Sequence, residues 1–144
     1  MAESWLSLSP DDQREALEVA AAASGWPAYL LEKDIWVVWA LQCLGADERL
    51  RASLTFKGGT SLSKAHRLIE RFSEDIDLNL NIQHLWPEVD RSPAENPTQA
   101  QVRRKTADRR LRQWVQDIPL PLLQHAAGTA GVPLDLSLNR VEAQ

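Results

Sequence analysis

The sequence has a single cysteine, no long apolar run and no excess of positive charge. The lone Cys43 excludes an internal disulfide, and within the apolar stretch IWVVWALQCL it is expected to be a small core residue rather than a nucleophile. The longest strongly apolar run, residues 35–41, is far shorter than the about 20 residues that span a bilayer. The start, MAESW, lacks the basic and then apolar pattern of a signal peptide. We therefore expect a soluble protein of the reducing cytoplasm, with no membrane partner.

Acidic residues outnumber basic ones. Sixteen Lys and Arg against twenty Asp and Glu give a net charge of −4, which argues against nucleic-acid binding over the whole surface and leaves local patches. The densest patch is RRKTADRRLR, whose six cations are Arg103, Arg104, Lys105, Arg109, Arg110 and Arg112. Two interpretations stay open: a solvated helix face, and contact with a phosphate backbone.

Length and hydrophobic content bound the organisation. With 144 residues, 44% of them hydrophobic, the chain can bury one ordinary core, which predicts a single domain over residues 1–144. Turn and cap signals divide it into segments. Residues 1–45 form N-terminal helices, the first from Pro10 to Ser24 and the second opening at Pro27 and ending before Gly45. A core unit follows in 53–82 and a proline-rich loop in 86–99. Residues 100–144 contain a helix, broken or kinked at Pro119 and Pro121, and a final strand at 132–141.

The core unit carries the most informative pattern, a Gly-rich turn followed by two aspartates on an apolar strand. The order is a strand at residues 54–57, a turn, a helix at 61–70 and a strand at 76–82. Because strand side chains alternate, Asp75 and Asp77 are expected on one face while Ile76 and Leu78 point into the core. Adjacent carboxylates repel unless a cation neutralises them, and hard oxygen ligands suit Mg²⁺ or Mn²⁺. The pattern predicts a two-metal nucleotide site.

The turn supplies the phosphate half of the predicted site. Glycines allow close backbone approach, and N–H groups that open the following helix bind phosphate. Lys64, one turn into that helix, is a better phosphate partner than Lys57, which is equally explained as an outward strand residue. Arg71 and Ser73 either contact phosphate or order the turn before the aspartates. The nucleotide-binding candidates are therefore Gly58, Gly59, Thr60, Ser61, Lys64, Arg71 and Ser73, with Asp75 and Asp77 as catalytic metal ligands.

These blocks resemble a known family. The turn and the Asp-x-Asp strand resemble the nucleotidyltransferase superfamily that includes DNA polymerase beta. KGGTSLSK with RFSEDIDL, preceded by Glu32-Lys33-Asp34, is similar to the N-terminal part of the AbiEii/AbiGii toxins of type IV toxin–antitoxin and phage abortive-infection systems, over residues 28–82. The resemblance implies an α+β fold with a polymerase beta-type core, a small mixed sheet and flanking helices. It also implies Mg²⁺-dependent transfer from a nucleoside triphosphate to an RNA hydroxyl, tRNA being the family's acceptor, and a winged-helix antitoxin encoded nearby.

The chain also departs from that pattern. Enzymes of the superfamily generally need a third carboxylate. Asp135 or Glu142 could stand in for it, but neither lies in a motif of the family, and Asp135 is better explained as an exposed strand residue. The toxin family's further motifs lie in a helical C-terminal half beyond position 144. Two hypotheses are therefore open. One is a working nucleotidyltransferase. The other is a truncated or excised, catalytically inactive remnant that binds nucleotide and metal or an antitoxin.

Overall fold

The computed structural model describes residues 5–57, 76–90 and 92–132 of the chain. It divides into two compact units, Met1–Ser92 and Pro93–Gln144, and each is described by itself. The predicted helix at 61–70 and the predicted strand at 132–141 lie, but for Val132, outside the described residues. Within the described ranges no helix is both long and apolar enough to cross a membrane. The single domain over residues 1–144 stays a prediction.

Helix α1 of unit one spans Pro10–Ser24, with the bounds that its caps predict. The Ser9 hydroxyl accepts a hydrogen bond from the Asp12 N–H at 3.2 Å, and Pro10 follows in the first turn, where its missing N–H costs nothing. Gly25 ends the helix at φ 77°, in the left-handed region that glycine adopts without strain, and donates to the Ala21 carbonyl at 2.9 Å.

The second helix, α2, spans Ala28–Ala46, so the prediction that it ends before Gly45 is wrong. A glycine inside a helix costs only about 1 kcal/mol, and α2 continues until Asp47 turns to extended backbone. A short helix that the sequence analysis did not predict, α3, follows at Glu48–Ser53. The Asp47 carboxylate starts it by accepting from the N–H groups of Arg49 and Leu50, at 2.9 and 3.3 Å.

The core of unit one lies along α2. Val37, Trp39 and Leu44 of this helix are buried, as is Leu50 of α3. Trp36 makes edge-to-face contacts with Trp39, at 5.9 Å between ring centroids, and with Trp5, at 5.7 Å. Trp36 and Trp39 are therefore packing residues of unit one.

The sheet of unit one has, among the described residues, two antiparallel strands: β1 at Leu54–Lys57 and β2 at Asp77–Leu80. β1 has its predicted bounds. The prediction that β2 runs to residue 82 is wrong, because the Asn81 side chain accepts from the His84 N–H at 3.1 Å and caps a short helix, α4, at Ile82–Leu85. Helices with a small sheet confirm the α+β class, whereas the mixed sheet and the polymerase beta-type core stay predictions.

Unit two contains α5, at Pro97–Asp117, and α6, at Pro119–Ala130. The prediction that residues 86–99 form a loop is wrong at its end, since Asn96 caps α5 by accepting from the Gln99 N–H at 2.9 Å and Pro97 occupies the first turn. The predicted break at Pro119 is confirmed: proline has no N–H for a helical bond, and the chain turns at Ile118. The predicted break at Pro121 is wrong, because Pro121 lies in the first turn of α6, where its missing N–H has no helical partner to lose. Ala127 is the buried residue of α6.

Candidate functional site

The register of the two strands places Asp77 at the end of the sheet where the Gly-rich turn begins. Asp77 is the first residue of β2, and its backbone partner is Lys57, the last residue of β1. Directly opposed residues of an antiparallel pair lie about 4.5–5.5 Å apart at Cα. Gly58 follows Lys57 directly in the chain, and it precedes Asp77 by 19 positions, which is on the order of 60 Å of fully extended chain. The strand pairing therefore brings the residue before the predicted turn next to Asp77.

The face of β2 that bears Asp77 is open to solvent. Asp77 and Asn79 are exposed, whereas Leu78 and Leu80 are half-buried, as the alternation of a strand requires. Ile76, just before the strand, is half-buried too. The expected orientation of Asp77, Ile76 and Leu78 is therefore confirmed, and the Asp77 carboxylate is accessible to a ligand.

Two further polar residues share that face and were not singled out from the sequence. Thr55 of β1 is paired with Asn79 of β2, and both are exposed. The alternation of apolar and polar residues in LTFK and DLNL is the signal that indicates this face, but it does not indicate which residues of the two strands are neighbours. The polar face of the sheet thus extends from Asp77 to the Thr55–Asn79 pair.

Short hydrogen bonds at the opposite end of the sheet hold this register. Ser53, the last residue of α3, is buried; its hydroxyl donates to the Arg49 carbonyl at 2.7 Å, and its own carbonyl accepts from the Asn81 N–H at 2.7 Å. Leu50 of α3 is 1% exposed and fixes the helix against the core. The end of β2 is thereby bound to the start of β1, and the pairing of Lys57 with Asp77 follows.

The start of α3 is stabilised electrostatically. The Arg49 guanidinium donates to both carboxylate oxygens of Asp47, at 2.7 and 3.2 Å. This side-chain hydrogen bond, with the N–H groups of Leu50 and Arg49, lowers the pKa of Asp47 to about 2, against the smaller opposing effect of desolvation. Asp47 is therefore charged at any physiological pH and caps α3 as a carboxylate.

Most of the predicted site lies outside the described residues. Asp77 is within them, but the other candidates, Gly58, Gly59, Thr60, Ser61, Lys64, Arg71, Ser73 and Asp75, are not. In the described part of the chain no three His, Cys, Asp or Glu residues are grouped as metal ligands. Asp77 itself fits a hard cation, since it offers an exposed carboxylate at a strand end. The assignment of Asp77 as a metal ligand, like that of the remaining candidates, stays a prediction.

A cavity of about 460 Å³ lies on the other side of β1. Leu54, which alternates with the exposed Thr55, is one of its lining residues, so the cavity is on the sheet face opposite Asp77. Its walls are apolar, apart from two polar side chains; the lining residues are Val38, Leu41, Gln42, Leu44, Gly45, Leu50, Arg51 and Leu54. An apolar wall is unsuited to triphosphate, and the candidate site remains at the Asp77 end.

Comparison with known proteins gives one family match. The family model described as nucleotidyl transferase AbiEii toxin, type IV TA system, matches residues 39–130, which is more than half of the chain. The match includes both strands, the connection between them and the whole of α5 and α6; Glu32, Lys33 and Asp34 precede it. No curated protein and no solved structure matches the chain significantly.

Proposed function

The chain belongs to the AbiEii nucleotidyl transferase toxin family of type IV toxin–antitoxin systems, and from this we propose that it transfers a nucleotide from a nucleoside triphosphate to a hydroxyl of RNA, with tRNA as the acceptor. The observation that carries the proposal is the pairing of Lys57 with Asp77. It brings Lys57, the residue that precedes the Gly-Gly-Thr-Ser sequence, and the exposed Asp77 to one end of a sheet. Nucleotide transfer needs a phosphate-binding segment beside a cation site, because the cation neutralises charge on the bound phosphates.

In the proposed site Asp75 and Asp77 hold Mg²⁺ or Mn²⁺. The bound cation supplies charge neutralisation for the phosphates and activation of the attacking hydroxyl. The turn from Gly58 to Ser61 binds the outer phosphates through backbone N–H groups and hydroxyls, with Lys64, Arg71 and Ser73 as further phosphate partners. Their task is positioning: the α-phosphorus must lie in line between the acceptor oxygen and the departing pyrophosphate.

The biological setting that we propose follows from the family. The chain acts in the cytoplasm, in an abortive-infection or phage-defence system, and a winged-helix antitoxin encoded beside it counteracts its activity. The open polar face around Asp77, Asn79 and Thr55 supports a macromolecular acceptor, because a long RNA end requires access that an enclosed pocket does not give.

The test is transfer of label from each of the four α-labelled triphosphates to total tRNA with Mg²⁺ or Mn²⁺. We expect labelled tRNA from the wild-type chain and a labelling rate lower by about 100-fold or more for Asp77→Asn. Substituting residues that only hydrogen-bond to a metal ligand already lowers activity by about 10–100-fold. Glu18→Gln, which removes an exposed carboxylate of α1, is the matched control and should label normally. Equal labelling by Asp77→Asn and wild type would contradict the proposal. Triphosphate binding without labelling in any arm would instead indicate a nucleotide-binding remnant.

A further inference from the structure

Helix α5 concentrates positive charge in a chain that is acidic overall. It contains six Lys and Arg against two Asp, a charge of +4, whereas the whole chain carries −4. The rest of the chain therefore carries −8. A helix that differs by this much from its own protein is not explained by solubility, which a net charge of either sign provides.

Five of the six cations of α5 lie on two opposite faces, and Arg104 lies between them. Lys105, Arg109 and Arg112 are spaced i, i+4 and i+7, which aligns them along one side of the helix, and we call these three residues the basic stripe. Lys105 and Arg109 are exposed, and the Arg112 side chain is 36% exposed. Arg103 and Arg110 are half-buried on the opposite side, in line with Trp114.

The basic stripe is only partly neutralised within the protein. Asp108 accepts from Arg112 Nε at 3.2 Å, an exposed i, i+4 pair of the kind that contributes little to stability. The pair leaves the terminal nitrogens of Arg112 available to a second acceptor. In the part of the chain that the structure describes, no acidic side chain forms an ion pair with Lys105 or Arg109. Helix stability therefore does not account for the stripe.

We propose that the basic stripe binds the phosphate backbone of RNA. RNA is named as the ligand because the proposed function requires an RNA acceptor, and in this respect the inference rests on that function. The new part is the surface of unit two that binds the RNA strand. Lys105 to Arg112 covers about 10 Å of helix, because each residue rises about 1.5 Å. That length corresponds to about three phosphates of a stacked strand at about 3.4 Å each.

The neighbours of the stripe favour a polynucleotide over an acidic protein. Gln101 and Gln116 extend the same side of α5 by one turn at each end, are exposed, and offer amide donors for phosphate or sugar oxygens. Val102, which is 58% exposed, is an apolar side chain beside the stripe. A single exposed valine is too small to form the apolar centre that protein interfaces have. Two of the three cations are arginines, whose planar guanidinium matches a phosphate with two parallel hydrogen bonds.

The experiment measures binding of a fluorescein-labelled oligouridylate by anisotropy, as a function of NaCl concentration. With three phosphate contacts, log K should fall against log salt with a slope of about −2, from about −0.7 for each contact on a single strand. The double variant Lys105→Gln, Arg109→Gln should bind about 25-fold more weakly at about 0.1 M salt, with a slope near −0.7. The charge-preserving variant Lys105→Arg, Arg109→Lys should keep the affinity within about threefold.

The matched control removes two positive charges from unit one, the same number as the stripe variant removes from unit two. Arg14→Gln with Arg49→Gln changes exposed arginines that pair with Asp11 and Asp47, and RNA affinity should stay within about twofold of wild type. An equal loss in this control would show that only net charge matters and would overturn the inference. Unchanged affinity and slope in the stripe variant would overturn it too, as would equally tight binding of an oligoglutamate probe of matched charge.

These outcomes are separable from those of the proposed function. Labelling of tRNA that depends on Asp77 together with normal RNA binding by the stripe variant would refute the stripe and leave the proposed transfer intact. RNA binding that depends on the stripe without any labelling would do the reverse.

Discussion

The substitution Leu50→Ala tests how α3 fixes the strand that leads into the Gly-rich turn. Leu50 is 1% exposed and packs where α2, α3 and β1 meet. The change removes three carbon groups from the interior while leaving the Leu50 N–H on the Asp47 carboxylate. The effect of the substitution is therefore confined to packing.

The magnitude follows from burial and from the adjacent cavity. At about 0.8 kcal/mol for each buried carbon group, the transfer contribution is about 2.4 kcal/mol. A new enclosed void would add to this, but Leu50 already borders open space of about 460 Å³, so the added cavity contribution is small. We expect a loss of about 2–3 kcal/mol in the free energy of unfolding, at the lower end of the about 2–5 kcal/mol seen for buried leucines.

Urea denaturation followed by far-UV circular dichroism measures this loss. A fall of about 6–9 °C in Tm should accompany it, at about 3 °C for each kcal/mol in a chain of this length. Leu8→Ala is the matched control: its side chain belongs to the same unit but the residue is 39% exposed, and the same three carbon groups should contribute about 1.5 kcal/mol. If Leu50→Ala lowers the free energy of unfolding by no more than Leu8→Ala does, Leu50 does not hold α3 against the core.

Two further predictions concern carboxylates. Calorimetric titration should detect weak Mg²⁺ or Mn²⁺ binding that strengthens with nucleoside triphosphate, because the two carboxylates that the sequence predicts on one strand face need a cation. The double variant Asp75→Asn, Asp77→Asn should lose this binding, and equal metal affinity in that variant would remove the site from this position. The pKa of Asp47 lies at about 2, below its ordinary value of 3.8, so its charged form adds stability above 3.8 that disappears as the pH falls towards 2. The Tm difference between wild type and Asp47→Asn should therefore shrink over that interval, and a difference that is constant with pH would contradict this account.

Local signals predicted those elements whose ends are determined by neighbouring residues. Ser9, Pro10 and Gly25 bound α1 as expected, because a cap needs only the few residues around it. The same signals misled where two interpretations compete. Pro97 was taken to exclude regular structure, yet with Asn96 as a cap it begins α5, and Gly45 was taken to end a helix that passes through it. A proline or a glycine marks a position, and its neighbours determine whether a helix starts, continues or stops there.

The sequence by itself indicated the residues of the candidate site, which are an aspartate alternating with apolar residues and a Gly-Gly-Thr-Ser segment. It separately indicated a dense group of cations on a later helix. These features depend on residue type and spacing alone, because the periodicity of a strand or a helix determines which side chains lie on the same face. Only the tertiary structure decided that Lys57 lies opposite Asp77, since strand register depends on contacts between distant residues. Those contacts come from α3, which the sequence did not indicate, through Leu50 in the core and the Ser53 carbonyl that accepts from Asn81.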